Sequence, residues 1–212
     1  MRFPGNGGII PVEKLKSTER QTENRMEKNL QRILPVPKQI VPDAENRICT
    51  LPPVIAVKEE AFLRYAEVFS ENLWKTHGLT LTQGEGGICL LRDETLAEEA
   101  CRIECRPDGI FLYAGEIHGI GNALVTLLQF AEVENGVLSV PACTITDAPD
   151  CAYRAVMVDL PASRTMEQME HYADLCCLYK IRYLHLHLAD NGGYCLPSRR
   201  FPKLPTPGMH FT

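Results

Sequence analysis

Tyr153-Arg-Ala-Val-Met-Val-Asp159 and Tyr183-Leu-His-Leu-His-Leu-Ala-Asp-Asn-Gly-Gly-Tyr194 are the two stretches whose reading decides the fold. The first has the β-branched, apolar middle of a strand over 154–160, and the second has the period-two alternation of a strand that stops at polar residues. Between them, residues 165–180 follow the helical period, with Met166, Met169, Ala173 and Cys176 on one stripe. Thr165 followed three residues later by Gln168 makes a capping box that starts this helix. Strand, crossover helix and strand form a βαβ unit, so the two strands are expected to run parallel. Their polar residues gather at one end: Asp159 and Arg164 follow the first strand, and His187, Asp190 and Asn191 close the second. In a (β/α)8 barrel that end carries the active site. Arg154, at the opening end of the first strand, is assigned to stability.

These residues carry a resemblance. Residues 153–159, the run Tyr179-Lys-Ile-Arg-Tyr-Leu-His-Leu-His-Leu-Ala-Asp-Asn-Gly-Gly-Tyr194 and Phe201-Pro-Lys-Leu204 resemble the first two βα units of glycoside hydrolase family 20, the β-N-acetylhexosaminidases. Leu34-Pro-Val-Pro-Lys38, residues 119–129 and Ile145-Thr-Asp-Ala-Pro149 are similar to that family's N-terminal domain and its link to the barrel. The resemblance covers roughly residues 33–212. Departures mark a divergent member: Ala155 stands for the usual glycine, Arg182 for asparagine, Asn191 for a second aspartate and Tyr194 for tryptophan. The family's sugar-binding arginine falls at Ala162, with Arg164 two residues later.

Working outward, residues 1–32 are polar and read as a mobile extension or a frayed helix. Residues 34–40 are extended by their prolines. Strand signals run from Arg47 to Val57, interrupted at Pro52-Pro53, and again over 87–91. A helix is expected over 59–76, with Phe62, Ala66, Phe69 and Leu73 on one face and Gly78 at its C-terminal cap. Residues 99–105 and 110–114 flank Arg106-Pro-Asp-Gly109, a hairpin turn. A second helix spans 118–132, and a final strand spans 137–145 before a linker at Asp147-Ala-Pro149. The expected fold class is therefore an α+β domain over 33–148, with a mostly antiparallel sheet and two helices on one face. Residues 149–212 would supply the first two βα units of a (β/α)8 TIM barrel, truncated.

Composition narrows the function. The formal charge of −5 over 212 residues provides no basic face for nucleic acid. No apolar run is long enough to span a membrane. The first residues lack the apolar core of a signal peptide, which leads to an expectation of a cytoplasmic chain. Nine cysteines fall within predicted strands and helices without a repeating spacing, so buried free thiols are expected rather than a disulfide framework or a zinc site. Gly119-Ile-Gly121 lacks the third glycine of a dinucleotide loop and is read as helix packing.

Arg164 is the candidate for holding sugar hydroxyls, because a planar guanidinium offers several fixed donors to vicinal oxygens. A surface arginine at the helix start is the alternative. His185 and His187 alternate onto one face of a strand. Such a pair could serve a metal-dependent barrel hydrolase, although further ligands are not identifiable. The resemblance instead implies that His187 and Asp190 line the active site, with the aspartate supporting the catalytic acid through a neighbouring histidine, and that Asp159 lies beside them. His185 is expected to be packed. No metal and no cofactor is implied.

The resemblance also implies substrate-assisted retaining catalysis, an exception to the usual pair of carboxyl groups, on terminal N-acetylhexosamine residues of glycans. Its adjacent Asp-Glu pair follows the fourth barrel strand, and this chain ends after the second, so no catalytic residue is expected here. Asp93-Glu94 is the only Asp-Glu dipeptide and is read as a turn. Residues 151–212 number 62, while a whole barrel takes about 250. The expectation is an inactive N-terminal part of a hexosaminidase, with a carbohydrate-binding or assembly module as the alternative and an oligomeric state the sequence does not specify.

Overall fold

The computed structural model describes residues 28–159, 165–190 and 193–207. The chain divides between Ala148 and Pro149 into two units. The tail over 1–27 lies outside the described residues.

In the first unit, seven strands form one sheet. In spatial order these are β1 (Gln39–Pro42), β10 (Cys143–Asp147), β6 (Cys101–Arg106), β7 (Gly109–Ala114), β5 (Ile88–Arg92), β3 (Val54–Val57) and β4 (Thr82–Gln83). A second sheet holds β2 (Ile48–Leu51), β9 (Val137–Pro141) and β8 (Glu132–Glu134), all antiparallel. The expectation of a mostly antiparallel sheet therefore needs correction. The ladders β7–β5, β5–β3 and β3–β4 are parallel, so the main sheet is mixed. The physical reason is the crossover: α1 (Leu63–His77) carries the chain from the end of β3 back to β4 and on to β5, so both run in the same direction as β3. The single strand expected over 137–145 is two strands in different sheets, and the run from Arg47 to Val57 likewise splits at its prolines into β2 and β3.

The local expectations rest on short-range chemistry and agree with the structure. Phe62, Ala66, Phe69 and Leu73 form the buried face of α1 and the 3-10 turn before it. Gly78 ends that helix at φ +67°, where a side chain is strained, and its amide donates to the Trp74 carbonyl at 2.8 Å. Pro107-Asp108 is the two-residue turn between β6 and β7, whose ladder closes on the pair Arg106 and Gly109. In α2 (Ile117–Phe130), Ile120, Ala123, Leu124, Leu127 and Phe130 are buried against the sheet. A β-carbon at Gly119 would stand 2.4 Å from the Ala100 carbonyl oxygen, and one at Gly121 would stand 2.8 Å from the Tyr65 ring. Those glycines serve close packing of α2, as the sequence reading holds.

On the inner face of the main sheet, Ile88, Leu90, Ile103, Ile110, Leu112 and Ile145 are fully buried. On the other face the Arg102 guanidinium lies 4.4 Å over the Tyr113 ring and Arg106 lies 4.1 Å over Phe111, so the aromatic faces are covered by cations.

The second unit opens with β11 (Ala155–Asp159), then α3 (Met166–Leu178) and β12 (Tyr183–His187), and β11 and β12 pair in parallel. The capping box forms as expected. The Gln168 amide donates to the Thr165 hydroxyl, and the Thr165 amide donates to the Gln168 side chain, both at 3.2 Å. The buried contact of this unit is Val158 with Met169 and Cys195, flanked by Tyr172, Leu184, Leu188 and Leu196. Of the expected helix stripe only Met169 is buried, because two strands offer a narrow platform; Met166 and Ala173 are exposed. Arg154 donates through Nε to the Lys180 carbonyl at 2.9 Å and through Nη1 to the Cys151 carbonyl at 2.7 Å. These bonds tie the start of β11 to the end of α3, a structural role.

Candidate functional site

The parallel register aligns Ala155 with Tyr183 and finishes with Asp159 opposite His187. Side chains alternate across a strand, so Met157, Asp159, His185 and His187 share one face, opposite the face where Val158 meets α3. At the carboxyl end of this pair, His187 Nδ1 stands 3.6 Å from Asp159 Oδ1. Both side chains are part-exposed, so even with the imidazole protonated the attraction amounts to about 1 kcal/mol or less. The arrangement sets an imidazole beside a carboxylate at the carboxyl end of two parallel strands.

Three residues later Asp190 ends β13 (Ala189–Asp190), which pairs with β14 (Gly193–Tyr194) in a tight antiparallel hairpin. Gly193 has φ +117°, a conformation that a side chain would strain, so the turn chemistry demands glycine there. The hairpin is pinned from behind. The Tyr194 amide donates to the Thr206 hydroxyl at 3.1 Å, and the Thr206 amide donates to the Tyr194 carbonyl at 2.9 Å. The Cys195 thiol donates to the Leu188 carbonyl at 3.7 Å, between His187 and β13. The Thr206 tie was not foreseen from the sequence, since a contact twelve residues apart across irregular chain leaves no periodic signal.

Of the sequence-derived site residues, the structure brings Asp159 and His187 together and places Asp190 in the hairpin that follows. Arg164 and Asn191 lie outside the described residues. His185 is exposed rather than packed, because α3 covers only the opposite face of β11 and β12. Among the described residues no group of three His, Cys, Asp or Glu side chains is placed to hold a metal ion. No helix among them is long and apolar enough to cross a membrane.

Asp93-Glu94 is a turn, as read. Asp93 Oδ1 accepts from the Thr95 hydroxyl and amide, and Oδ2 stands 3.2 Å from Arg102. The Thr95 contacts, with Arg102 after them, hold the Asp93 carboxyl below its ordinary range. Glu94 instead faces a cleft of about 690 Å³ lined also by Arg92, Glu98, Glu116 and His118. The two carboxyl groups of the dipeptide therefore do not converge on one substrate position.

Residues 30–148 match the family model described as glycosyl hydrolase family 20, domain 2, and residues 151–211 match glycosyl hydrolase family 20, catalytic domain. The chain belongs to glycoside hydrolase family 20. Among curated family 20 relatives, the β-hexosaminidase of Akkermansia muciniphila is 36% identical over 124 residues, which are 54% of this chain and 24% of that protein. The β-hexosaminidase of Porphyromonas gingivalis is 26% identical over 192 residues, 83% of this chain and 25% of that protein. Among solved family 20 structures, the exo β-N-acetylglucosaminidase of Vibrio harveyi in complex with N-acetylglucosamine superposes with a TM-score of 0.78. It is 26% identical, over 82% of this chain and 28% of the other. A mutant Streptomyces plicatus β-hexosaminidase in complex with its product GlcNAc gives a TM-score of 0.74 at 26% identity, over 84% and 38%. The chain thus spans about a quarter of the length of these curated relatives.

Proposed function

We propose that this chain is the N-terminal part of a β-N-acetylhexosaminidase that removes terminal, non-reducing N-acetylhexosamine residues from glycans by substrate-assisted retaining catalysis. In this reading residues 33–148 are the hexosaminidase-type α+β domain, and residues 149–212 begin a (β/α)8 catalytic barrel. The observation that carries the reading is the match of both parts to family 20, with Asp159 and His187 paired at the carboxyl end of two parallel strands. Barrel active sites form at that end.

The roles follow from side-chain chemistry. Arg164, between β11 and α3 in the sequence, is assigned to sugar hydroxyls, for which its planar guanidinium offers several fixed donors. Asp190, at the hairpin after β12, supports the catalytic acid through a neighbouring histidine. Asp159 and His187 line the site side by side at the strand ends. The acetamido oxygen of the substrate attacks the anomeric carbon, so the reading calls on no metal or organic cofactor. The adjacent Asp-Glu pair that would orient the acetamide and supply the acid and base is not among these 212 residues. The partner is a glycan ending in N-acetylhexosamine, with no nucleic acid and no membrane.

Assay of the purified 212-residue chain with an aryl N-acetylglucosaminide is expected to show no turnover above background. In a polypeptide carrying a complete barrel, Asp190→Ala is expected to lower kcat/KM on the order of 100-fold, the cost of losing the alignment of a reacting group. Turnover by the 212-residue chain itself, or an unchanged kcat/KM in Asp190→Ala, would overturn the reading. Glycan binding by residues 33–148 alone, with no activity from a completed barrel, would point to a binding module instead.

A further inference from the structure

Three buried thiols stand together in the first unit, on strands other than those that carry the proposed site. Cys105 on β6 and Cys143, the first residue of β10, are register partners in an antiparallel ladder. They are 3% and 4% exposed, and their side chains are within hydrogen-bond contact. Cys49 on β2, 2% exposed, approaches Cys143 from the other sheet. All three are free thiols. Directly opposed residues in an antiparallel ladder have Cα atoms about 4.5–5.5 Å apart. That separation lies inside the range of about 4.4–6.8 Å that a disulfide requires. The ladder register therefore sets Cys105 and Cys143 at a backbone separation that a disulfide spans.

Reactivity runs against closure once the core is built. The Cys143 contact, followed by burial, pushes the Cys105 thiol well above its ordinary value. Burial raises Cys49 to about 11. Exchange requires a thiolate and access to it, and the folded core supplies neither.

We propose that Cys105 and Cys143 are a latent cross-strand disulfide, closed by a low-molecular-weight disulfide such as oxidised glutathione while the chain folds and shielded from it afterwards. The thiolate of one cysteine attacks oxidised glutathione, forming a mixed disulfide and releasing one glutathione. The second thiolate then attacks that mixed disulfide, forming the Cys105–Cys143 bond and releasing the second glutathione. Two protein thiols are oxidised and one oxidised glutathione is reduced. Cys49, held on a separate sheet, stays a thiol. The bond closes a loop that holds β7, α2, β8 and β9, and it ties together the second and third strands of the main sheet.

The test is to refold the full chain from denaturant in oxidised glutathione or in excess reductant, and to map the cysteines by alkylation and peptide mass spectrometry. Oxidative refolding is expected to yield a Cys105–Cys143-linked peptide and a higher denaturation midpoint than the reduced chain. The folded, reduced chain given the same oxidised glutathione is expected to keep both thiols. Cys49→Ala should retain the link. A Cys49–Cys143 link, no link, closure in the folded chain as fast as during refolding, or a lowered midpoint each overturns the proposal.

Discussion

The two units handle apolar strands in opposite ways. In the first, the apolar inner residues of β5, β6, β7 and β10 are buried, with α2 packed on β6 and β7, and the aromatic residues Phe111 and Tyr113 on the outer face lie under arginines. In the second, Val158 is 7% exposed under α3, but Val156 is 41% exposed and Met157, on the other face of the same strand, is 61% exposed. A parallel pair of strands is ordinarily covered on both faces. The difference teaches that the first unit has a closed apolar core, whereas the thinly covered second unit is the one that carries the polar residues of the proposed site.

The sharpest way to break this contrast is paired truncation. Leu112→Ala in β7 removes a fully buried side chain and should cost about 2–5 kcal/mol, read from the denaturant midpoint. Met157→Ala in β11 should stay within about 0.5 kcal/mol, as for other exposed sites. Equal losses would erase the distinction. Next in size, Gly119→Ala drives a β-carbon to 2.4 Å from the Ala100 carbonyl oxygen and 2.9 Å from the Ala114 β-carbon. It should cost about 1–3 kcal/mol by overpacking, and a neutral substitution would show that α2 does not approach the sheet so closely. Within the second unit, Thr165→Ala removes one half of the capping box and should cost about 1 kcal/mol. The readout is faster amide exchange in the first turn of α3, with β6 and β7 unchanged.

The smallest effect is electrostatic. Hydrogen bonds from Arg47 at 2.8 and 2.9 Å hold the half-buried Asp43 carboxyl below its ordinary 3.8. Because the folded value is the lower one, this contribution is present above the ordinary carboxylate value and is lost as pH falls through the folded-state value. Asp43→Asn should therefore flatten the acid limb of a stability profile below about pH 4 and leave neutral pH almost unaffected; a profile superimposable on the parent's would remove the pair from the stability of the first unit.

The legible parts of the fold were those encoded locally. The Thr165–Gln168 box, the Pro107-Asp108 turn, Gly78 and the apolar faces of α1 and α2 are set by residues within one or two turns of each other. The sheet change at Pro52-Pro53, the break between β9 and β10 at Ala142, and the parallel ladders of β3, β5 and β7 depend on partners dozens of residues away. Periodicity alone carries no such information. The same division holds at the site. Asp159, His187 and Asp190 could be placed at strand ends from alternation, but the register that sets Asp159 opposite His187 comes from the long-range β11–β12 pairing. The exposure of His185 was missed because an alternating apolar strand does not reveal which of its faces is covered.

Amide hydrogen exchange on the 212-residue chain tests the central contrast most directly. Amides in β5, β6, β7, β10 and α2 should exchange slowly and together, at the cost of global unfolding, while those of β11 and β12 exchange orders of magnitude faster through local opening. Protection in β11 and β12 equal to that in β6 and β7 would contradict the account.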